Sequence, residues 1–380
     1  MYEAKHSAEQ LRYLQSLPLE RKIMITQTRI IDWYEHWKGQ VYVSYSGGKD
    51  STVLLELARM AYPQIPAVFV NTGLEYPEIR KFALSHGDVE ELRPRWGKAG
   101  KEHGKKPEDI ITFLDTVTTY GYPLISKAVS NAIVESRRTP QGSRWERLHG
   151  NYKRLDGKRS QYDYSKYLPL YCLPIRISDE CCKVSKKGSA YIYQHKTGRH
   201  PLIATMAEES LIRKQAWLAT GCNAFNAKEP ISKPMSFWLE QDVLHYIARY
   251  DTQICSVYGD IVYEDIDGFR YDARTGIYAP ETKLKCTGCA RTGCVFCAFG
   301  AHLEKGKTRY QKLKETHPQL YEFCIEGGGW QKNEKYDPAK TGPDEWNPKE
   351  IWTPSKKGLG MGKVFDMVNE IYGKDFIRYE

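Results

Sequence analysis

The sequence predicts an α/β protein, with a parallel sheet flanked by helices and a cysteine-rich, metal-binding segment towards the C-terminus. A β-branched run at Val41 and Val43 leads through a glycine turn directly into a helix. A second apolar run follows at residues 67–70, and two strands joined by a helix pair in parallel. Six of the ten cysteines lie in pairs between residues 181 and 297, and ordinary core packing does not require cysteines at this density.

Helical periodicity comes first along the chain. Apolar residues recur at helical spacing over residues 7–37, and Gly39 then predicts the end of that helix. The second helix is predicted at residues 52–62 and the second strand at residues 67–70. Residues 93–167 are basic, aromatic and poorly periodic, so we expect loops and insertions there.

The second half of the chain begins with another strand-to-helix unit. A strand is predicted at residues 201–205, and a helix with acidic residues in its first turn follows up to residue 218. Another helix is predicted at residues 234–250, a turn-rich stretch at residues 251–285, and a charged helical tail at residues 302–322.

Composition limits the class of protein. The chain has 380 residues, of which 41% are hydrophobic, enough for one large or two modest domains. It contains no apolar window of membrane-spanning length and no hydrophobic leader at the N-terminus, so we expect a cytoplasmic protein without membrane contact. In that compartment ten cysteines indicate metal binding or catalysis rather than disulfides, and the net charge of +9 suits a protein that meets phosphates.

The residues from Ser44 to Ser51 form a strand-turn-helix motif with the sequence SYSGGKDS. Gly47 and Gly48 let the backbone turn tightly with converging N–H groups, and the following helix N-terminus also attracts an anion. Lys49 adds a cation. The motif lacks the four-residue spacer of a Walker loop, which excludes the usual ATPase interpretation. A carboxylate at Asp50 beside a phosphate indicates an intervening Mg²⁺ ion.

This loop resembles SGGxDS, the pyrophosphate-binding loop of the ATP pyrophosphatase and phosphoadenosine phosphosulfate (PAPS) reductase superfamily. The resemblance implies a Rossmann-like, HUP-type sheet. Asn71–Gly73 resembles the family's [DN]TG motif, and residues 208–213 resemble its ExS-x-x-R element. The family's Gly-x-Arg before that element is absent, because residues 204–206 read Ala-Thr-Met. The catalytic residues implied are Lys49, Asp50 and Arg213. The nucleotide-binding residues implied are Ser44, Ser46, Gly47, Gly48, Lys49, Asp50, Ser51, Asn71, Thr72, Gly73, Glu209 and Ser210.

Paired cysteines form a second constellation. The Cys181-Cys182 pair with the distant Cys294 and Cys297 resembles the ligand set of iron-sulfur adenylylsulfate reductases, which implies a 4Fe-4S cluster. Cys286 and Cys289 allow an alternative, in which they join Cys294 and Cys297 in a compact zinc or iron-sulfur site. Such a compact cluster resembles the ATP pyrophosphatase subunit of DNA phosphorothioation.

The motifs divide the chain into an N-terminal helical segment (1–38), a nucleotide-binding α/β domain (39–250) with a basic insertion (about 93–167), and a cysteine-rich C-terminal segment with a helical tail (251–380). Basic and aromatic residues alternate between Arg137 and Lys166, a mixture that suits nucleic-acid binding or, equally, a solvated insertion with packed rings.

Two enzymatic functions and one binding function are compatible with these motifs. In the first, the protein binds ATP with Mg²⁺ and adenylates an acceptor, such as a nucleic acid, for sulfur transfer. The resemblance also implies a sulfur donor such as a cysteine desulfurase. In the second, the pocket binds PAPS or adenylylsulfate and a cysteine releases sulfite. The third is a non-catalytic nucleotide-binding module. The complete loop favours the first, and the reductase's ECGxH-type cysteine motif is absent, since Cys324 is predicted to be a helix-face thiol.

Overall fold

The structure is a computed structural model that describes residues 5–153, 156–158, 160, 162–272, 277–339 and 347–380. It separates into two compact units, each built from non-contiguous parts of the chain. The first unit comprises Met1–Asn71, Glu75–Arg93 and Ser189–Thr292, and the second comprises Thr72–Leu74, Pro94–Gly188 and Gly293–Glu380. The domain boundaries predicted at residues 38 and 250 stay predictions. Residues 1–4 of the predicted helical segment and residues 154, 155, 159 and 161 of the predicted insertion lie outside the described residues.

Strands and helices alternate along much of the chain. The strands are β1 Val41–Tyr45, β2 Ala67–Val70, β3 Val89–Leu92, β4 Leu124–Ile125, β5 His200–Leu202, β6 Asn223–Ala224, β7 Ile231–Ser232, β8 Ile261–Asp272, β9 Ile277–Cys286, β10 Ala298–Phe299, β11 Gly329–Lys332 and β12 Glu350–Thr353. The α-helices are α1 Ala8–Ser16, α2 Leu19–His36, α3 Lys49–Ala61, α4 Pro77–Ser85, α5 Phe113–Tyr120, α6 Lys127–Arg138, α7 Ser143–Leu148, α8 Glu180–Cys182, α9 Gly188–Thr197, α10 Leu211–Thr220, α11 Glu240–Tyr250, α12 Arg309–Thr316, α13 Pro318–Ile325 and α14 Met361–Tyr372.

The first unit contains a sheet with the strand order β3-β2-β1-β5-β7-β6. Strand β1 pairs in parallel with β2 and with β5, so that Val43 lies opposite both Ala67 and Leu202. Only β6 runs antiparallel to its neighbour in this sheet. The predicted α/β architecture with a parallel sheet and flanking helices is therefore confirmed.

Helix α3 lies inside the core of the first unit. Val53, Leu54, Leu57 and Ala58 are fully buried, together with the central strand residues Val41 and Val43. Because such a helix is held on several sides, burial of its apolar residues positions its N-terminus at the end of β1. That N-terminus is where the glycine loop lies.

Several predicted boundaries in the first unit are wrong. The helix predicted at residues 7–37 is two helices, because Pro18 precedes the first residue of α2. The predicted helix at residues 234–250 begins only at Glu240. The stretch expected to be turn-rich, residues 251–285, contains the long antiparallel hairpin β8–β9.

The second unit is more regular than predicted. Residues 93–167, expected to be loops, include α5, α6 and α7. Helix α5 begins with a capping box between Thr112 and Asp115, and the Ser126 side chain caps α6 by accepting from the amide of Val129. Beyond the predicted helical tail, the polar C-terminal stretch forms the β11–β12 hairpin and α14. None of the helices in the described ranges is long and apolar enough to cross a membrane.

Candidate nucleotide site

The glycine loop in the first unit connects the end of β1 to the first residue of α3. Gly47 has a φ of +71°, and a Cβ atom at this position would lie 3.0 Å from the carbonyl oxygen of Ile79. A side chain is excluded here by both conformation and space. Gly48 is the N-cap of α3, so the capping residue itself has no side chain that would compete with an anion.

Two serines brace the loop from inside. The Ser46 amide donates to Ser51 Oγ at 3.2 Å, and Ser51 Oγ donates to the Gly48 carbonyl at 2.9 Å. The two hydroxyl oxygens are 3.0 Å apart. In this conformation Ser46 and Ser51, two of the predicted nucleotide-binding serines, stabilise the shape of the loop through local bonds.

Lys49 is buried, with only 3% of its side chain exposed. Its Nζ lies 3.1 Å from Glu240 Oε1 and 3.7 Å from Asp50 Oδ1, and it donates to the Ala290 carbonyl at 3.1 Å. The ammonium group is thus surrounded by oxygen atoms in the position where the motif predicts a phosphate. A phosphate oxygen at this position would replace one negatively charged or polar partner with another.

Residues 286–292, the last residues of the first unit in sequence, contact the glycine loop, and we call them the cover segment. The amides of Gly288 and Cys289 donate to carbonyls of residues 258 and 257, which aligns the two stretches. Tyr258 Oη accepts from the Lys49 amide at 3.1 Å and lies 2.6 Å from Thr292 Oγ1. A tyrosine hydroxyl therefore occupies one of the backbone donors that an anion would use.

Asp50 is the least satisfied group of the site. Its Oδ1 is buried and has no hydrogen-bond partner among the described residues. Burial raises the pKa of this carboxyl group, against the opposing effect of Lys49, and Glu240 adds to the rise. A buried, under-coordinated carboxylate oxygen at a phosphate loop fits the hard oxygen ligands that Mg²⁺ prefers. The predicted Mg²⁺ role of Asp50 is therefore compatible with the structure.

The predicted Arg213 element lies in the same unit. Ser210 accepts from the amide of Arg213 at 3.3 Å and so caps α10. Arg213 forms an ion pair with Glu209, and Arg291 of the cover segment lies 3.9 Å from the same carboxylate. Burial lowers the pKa of Arg213, Arg291 adds to the lowering, and the charge of Asp50 opposes it. The structure therefore brings Arg213 within electrostatic range of Asp50.

The second-strand motif is divided between the units. Asn71 belongs to the first unit, where its side chain donates to Glu91 Oε1 at 2.5 Å. Thr72 and Gly73 belong to the second unit, where the amide of Leu74 donates to Thr72 Oγ1 at 3.2 Å. Ser44 lies within β1, opposite Val68 of β2. The nucleotide-binding role predicted for these residues stays a prediction.

The four predicted cluster ligands, Cys181, Cys182, Cys294 and Cys297, all belong to the second unit. A hydrogen bond with Cys182 raises the pKa of Cys181, and the neighbouring Cys297 and Cys294 add to the rise. The same bond lowers the pKa of Cys182 to about 5, against the effect of burial, with help from Lys127. Cys181 thus interacts with the other three thiols, an arrangement compatible with a thiolate-bound metal group. Within the described ranges, however, no three metal-ligating side chains are arranged to hold a metal ion.

Cys286 and Cys289 belong to the other unit, in the cover segment. Burial raises the pKa of Cys286, the charge of Lys49 lowers it, and Cys289 is close enough to raise it further. Cys289 Sγ lies 3.9 Å from Tyr76 Oη. This pair therefore lies beside the glycine loop.

Residues 40–92 of this chain match a known family. They match the phosphoadenosine phosphosulfate reductase domain. This segment contains the whole glycine loop and the Asn71–Gly73 motif, and it supports a nucleotide-using function. The superfamily predicted from those motifs is confirmed for this segment. The match does not extend to Arg213 or to the cysteine pairs.

Two other comparisons add little to the PAPS reductase domain match. No curated protein matches the chain. A solved structure similar to it is the crystal structure of PAPS reductase from Candida auris in a phosphate complex, with 14% sequence identity, coverage of 66% of this chain and 90% of that one, and a TM-score of 0.33. A likeness at this level carries no conclusion about substrate or mechanism.

Sequence reasoning missed four residues that lie at the glycine loop. Glu240, Tyr258, Ala290 and Arg291 come from segments about 190 to 240 positions beyond Lys49, as the separation of 209 between Lys49 and Tyr258 illustrates. The contribution of Ala290 is a backbone carbonyl, which no sequence pattern reveals. For Glu240 the available signal was its place in the first turn of α11, where acidic residues are common for helix-dipole reasons alone.

Proposed function

We propose that this protein splits ATP between the α- and β-phosphates and transfers the adenylate to an acceptor for sulfur transfer. The observation that carries the proposal is the intact glycine loop with two functional groups at its helix N-terminus. These are the buried cation of Lys49 and the half-buried carboxylate of Asp50, whose Oδ1 atom is buried without a hydrogen-bond partner among the described residues. A loop that only held a sulfonucleotide would have no need for a carboxylate beside it, because a carboxylate repels phosphate in the absence of a metal ion.

The proposed reaction is an in-line displacement. A lone pair on an acceptor oxygen forms a bond to the α-phosphorus, and the bond between that phosphorus and the α–β bridging oxygen breaks. The electron pair leaves with pyrophosphate, and the acceptor's proton passes to water. The loop amides of α3 and the Lys49 ammonium stabilise the charge that develops on pyrophosphate.

Asp50 is the residue that would hold Mg²⁺, which supplies charge neutralisation at the phosphates when it is bound. Arg213 is suited to a phosphate oxygen because its planar guanidinium presents two parallel donors. In the present conformation Arg213 is paired with Glu209, so we expect nucleotide binding to exchange that partner.

An iron-sulfur cluster belongs to the same proposal. Cys181, Cys182, Cys294 and Cys297 would hold a 4Fe-4S cluster in the second unit, and zinc is the alternative. Iron analysis of anaerobically purified protein, together with its visible absorption, distinguishes the two. The acceptor is proposed to be a nucleic acid and the sulfur donor a cysteine desulfurase, in a cytoplasmic setting.

The experiment measures pyrophosphate released from ATP in the presence of Mg²⁺ by the full-length protein and by D50N. We expect D50N to lose about 100-fold or more of the rate, comparable to the loss of a single transition-state stabiliser. D32N is the matched control, because Asp32 belongs to the same unit but is 45% exposed. Unchanged turnover by D50N would exclude the role of Asp50.

A second candidate function is reduction of PAPS, favoured by the position of Cys286 beside Lys49. The Cys286 thiolate would attack the sulfuryl sulfur, breaking its bond to the phosphate oxygen and releasing adenosine 3′,5′-bisphosphate. Cys289 would then attack Cys286 Sγ, which forms a disulfide and releases sulfite. An external thiol reductant must return the pair to the dithiol.

Cys324 does not fit the role of the attacking thiol in such a reaction. It is fully buried in α13, its Sγ contacts the Met361 sulfur at 3.6 Å, and burial raises the pKa of its thiol. Sulfite release from PAPS that is lost in C286S and kept in C324S would support the second candidate. Pyrophosphate release from ATP without any sulfite from PAPS supports the first.

A further inference from the structure

The second unit contains a cavity of about 370 Å³ whose lining includes neither the glycine loop nor the paired cysteines. It is lined by residues of α5 and α6, by residues between Leu173 and Glu180, and by Asn333, Lys335, Asn347, Pro348 and Ile351. Its size is that of small-molecule sites. The charged residues of its lining are Arg137, Arg138, Arg176, Lys335 and Glu180. The charged side chains that line the cavity are therefore mainly cationic.

Arg137, in the last turn of α6, is the unusual member. Its guanidinium donates to the Tyr171 carbonyl at 2.7 Å and lies 5.0 Å from the centre of the Tyr171 ring. Its Nε atom is closed off from solvent and has no hydrogen-bond partner among the residues that the structure describes. One of the donors of this half-buried cation is thus left unused.

Two acidic groups of the region are paired with other cations. Glu180 lies 2.7 Å from the ammonium of Lys183, and Glu135 lies 3.1 Å from the guanidinium of Arg138. No carboxylate in the described ranges pairs with Arg137. Burial lowers the pKa of Arg137, which is the mark of a cation removed from water without a neutralising anion. A charge held away from water without a counter-ion is unfavourable, so a compensating partner is expected.

Arg176 makes the cavity suitable for an anion with several oxygens. It donates to the Thr118 carbonyl at 2.9 Å, and burial lowers its pKa against the opposing charge of Glu334. Arginine carries five donors in a planar fork, so a single carbonyl leaves most of them available. Two arginines on the lining of one cavity match the oxygen arrangement of a phosphate group.

We propose that this cavity of the second unit binds a phosphate group through Arg137 and Arg176. The phosphate belongs either to a free phosphate or nucleotide or to a nucleic-acid strand, since the recognising chemistry is the same. The proposal rests on the second unit alone and does not depend on the reaction proposed for the glycine loop.

Arginine Nε–H signals in nuclear magnetic resonance spectra test the proposal at the atom that carries it. The full-length protein is labelled with ¹⁵N-arginine, and the signal absent from R137K is assigned to Arg137. Inorganic phosphate is then titrated, followed in separate samples by adenosine monophosphate and a short single-stranded oligonucleotide. We expect the Arg137 signal to shift and to saturate with phosphate. A further saturable shift with the oligonucleotide identifies a strand as the source, and a shift with the small molecules alone identifies a free phosphate.

Two variants keep the test specific. V134E places a carboxylate on the cavity lining one turn before Arg137 on α6, and we expect it to abolish the shift by supplying the missing partner. R12Q removes an exposed arginine of α1 and should leave the shift unchanged. If the Arg137 signal does not respond to any of the three phosphates in the folded wild-type protein, the proposal is wrong.

Discussion

Lys49 in the first unit and Arg137 in the second are both largely removed from water, and the two cations are partnered in opposite ways. Lys49 in the first unit lies beside the carboxylates of Glu240 and Asp50 and donates to a backbone carbonyl. Arg137 in the second unit has one carbonyl and one aromatic ring, and no carboxylate within the described ranges. The first cation is neutralised by the protein itself, whereas the second is not.

This difference shows that burial alone does not identify an anion site. At Lys49 an incoming phosphate must compete with Glu240 for the ammonium group, so binding there is an exchange of partners. At Arg137 a phosphate would provide the first negative charge, so binding there is a net gain of an ion pair. The partner set of a buried cation decides which of the two situations applies.

The largest expected effect comes from removing each cation. K49M leaves the carboxylates of Glu240 and Asp50 facing each other without the Lys49 ammonium group. We expect it to lower the free energy of unfolding by about 2 kcal/mol. This is less than the usual cost of breaking a buried ion pair, because Glu240 is 38% exposed. R137M removes a charge that has no carboxylate partner, and its free energy of unfolding should stay within about 1 kcal/mol of the wild type. Urea denaturation followed by circular dichroism measures both.

A matched control is K105Q, which removes an exposed lysine of the second unit and should change stability little. Equal destabilisation by K49M and R137M would mean that the two cations are partnered alike, and the comparison would fail. A large loss in R137M alone would reveal a carboxylate partner for Arg137.

The loop was predictable because its bonds are local. Ser46, Ser51 and the glycines satisfy one another within a few positions, so the motif contains nearly all the information that shapes the turn. The parallel sheet was predictable for a similar reason, since strand, helix and strand follow in order. Tyr258 and Glu240 were not predictable, because only the folded chain brings segments so distant in sequence to Lys49.

Helix α6 is a different case, because its signal was present in the sequence. Val129, Ala132, Ile133 and Ser136 are buried at helical spacing, but the charged clusters around them favoured the prediction of a loop. The burial of Arg137 at the end of that helix depends on the packing of residues 171–178, which sequence does not show. Even with α6 predicted correctly, the cavity would have been missed.

A change in stability of intermediate size is expected at Asp50. Replacing this carboxylate removes one of the two negative partners of Lys49, which makes its surroundings more like those of Arg137. Burial places the pKa of Asp50 in the folded protein above its ordinary value of 3.8, so the folded protein binds this proton more tightly than the unfolded chain. The wild type therefore loses stability as pH rises from the ordinary pKa through the folded pKa. D50N lacks that loss and should be more stable than the wild type at neutral pH.

Thermal unfolding of D50N and the wild type across the acidic range measures this difference. The advantage of D50N should shrink towards zero as the pH falls below the ordinary carboxyl value, where both forms are neutral. D32N, which changes an exposed carboxylate of the same unit, should show no such pH dependence. An advantage of D50N that is independent of pH would show that its cause is not the charge of Asp50.

The smallest expected effect is on anion affinity and comes from the hydrogen bond between Tyr258 and the Lys49 amide. It tests whether this contact competes with an anion at Lys49. Y258F removes the hydroxyl that accepts from the Lys49 amide at 3.1 Å, which leaves that donor available to an anion. A hydrogen bond contributes about 0.5–1.5 kcal/mol net, so the affinity for inorganic pyrophosphate should rise by roughly two- to tenfold. Isothermal titration calorimetry measures the affinity, and Y13F, at an exposed tyrosine of the same unit, is the matched control. Weaker binding by Y258F would instead make the Tyr258 hydroxyl a ligand of the anion, and the cover would then be part of the site rather than its competitor.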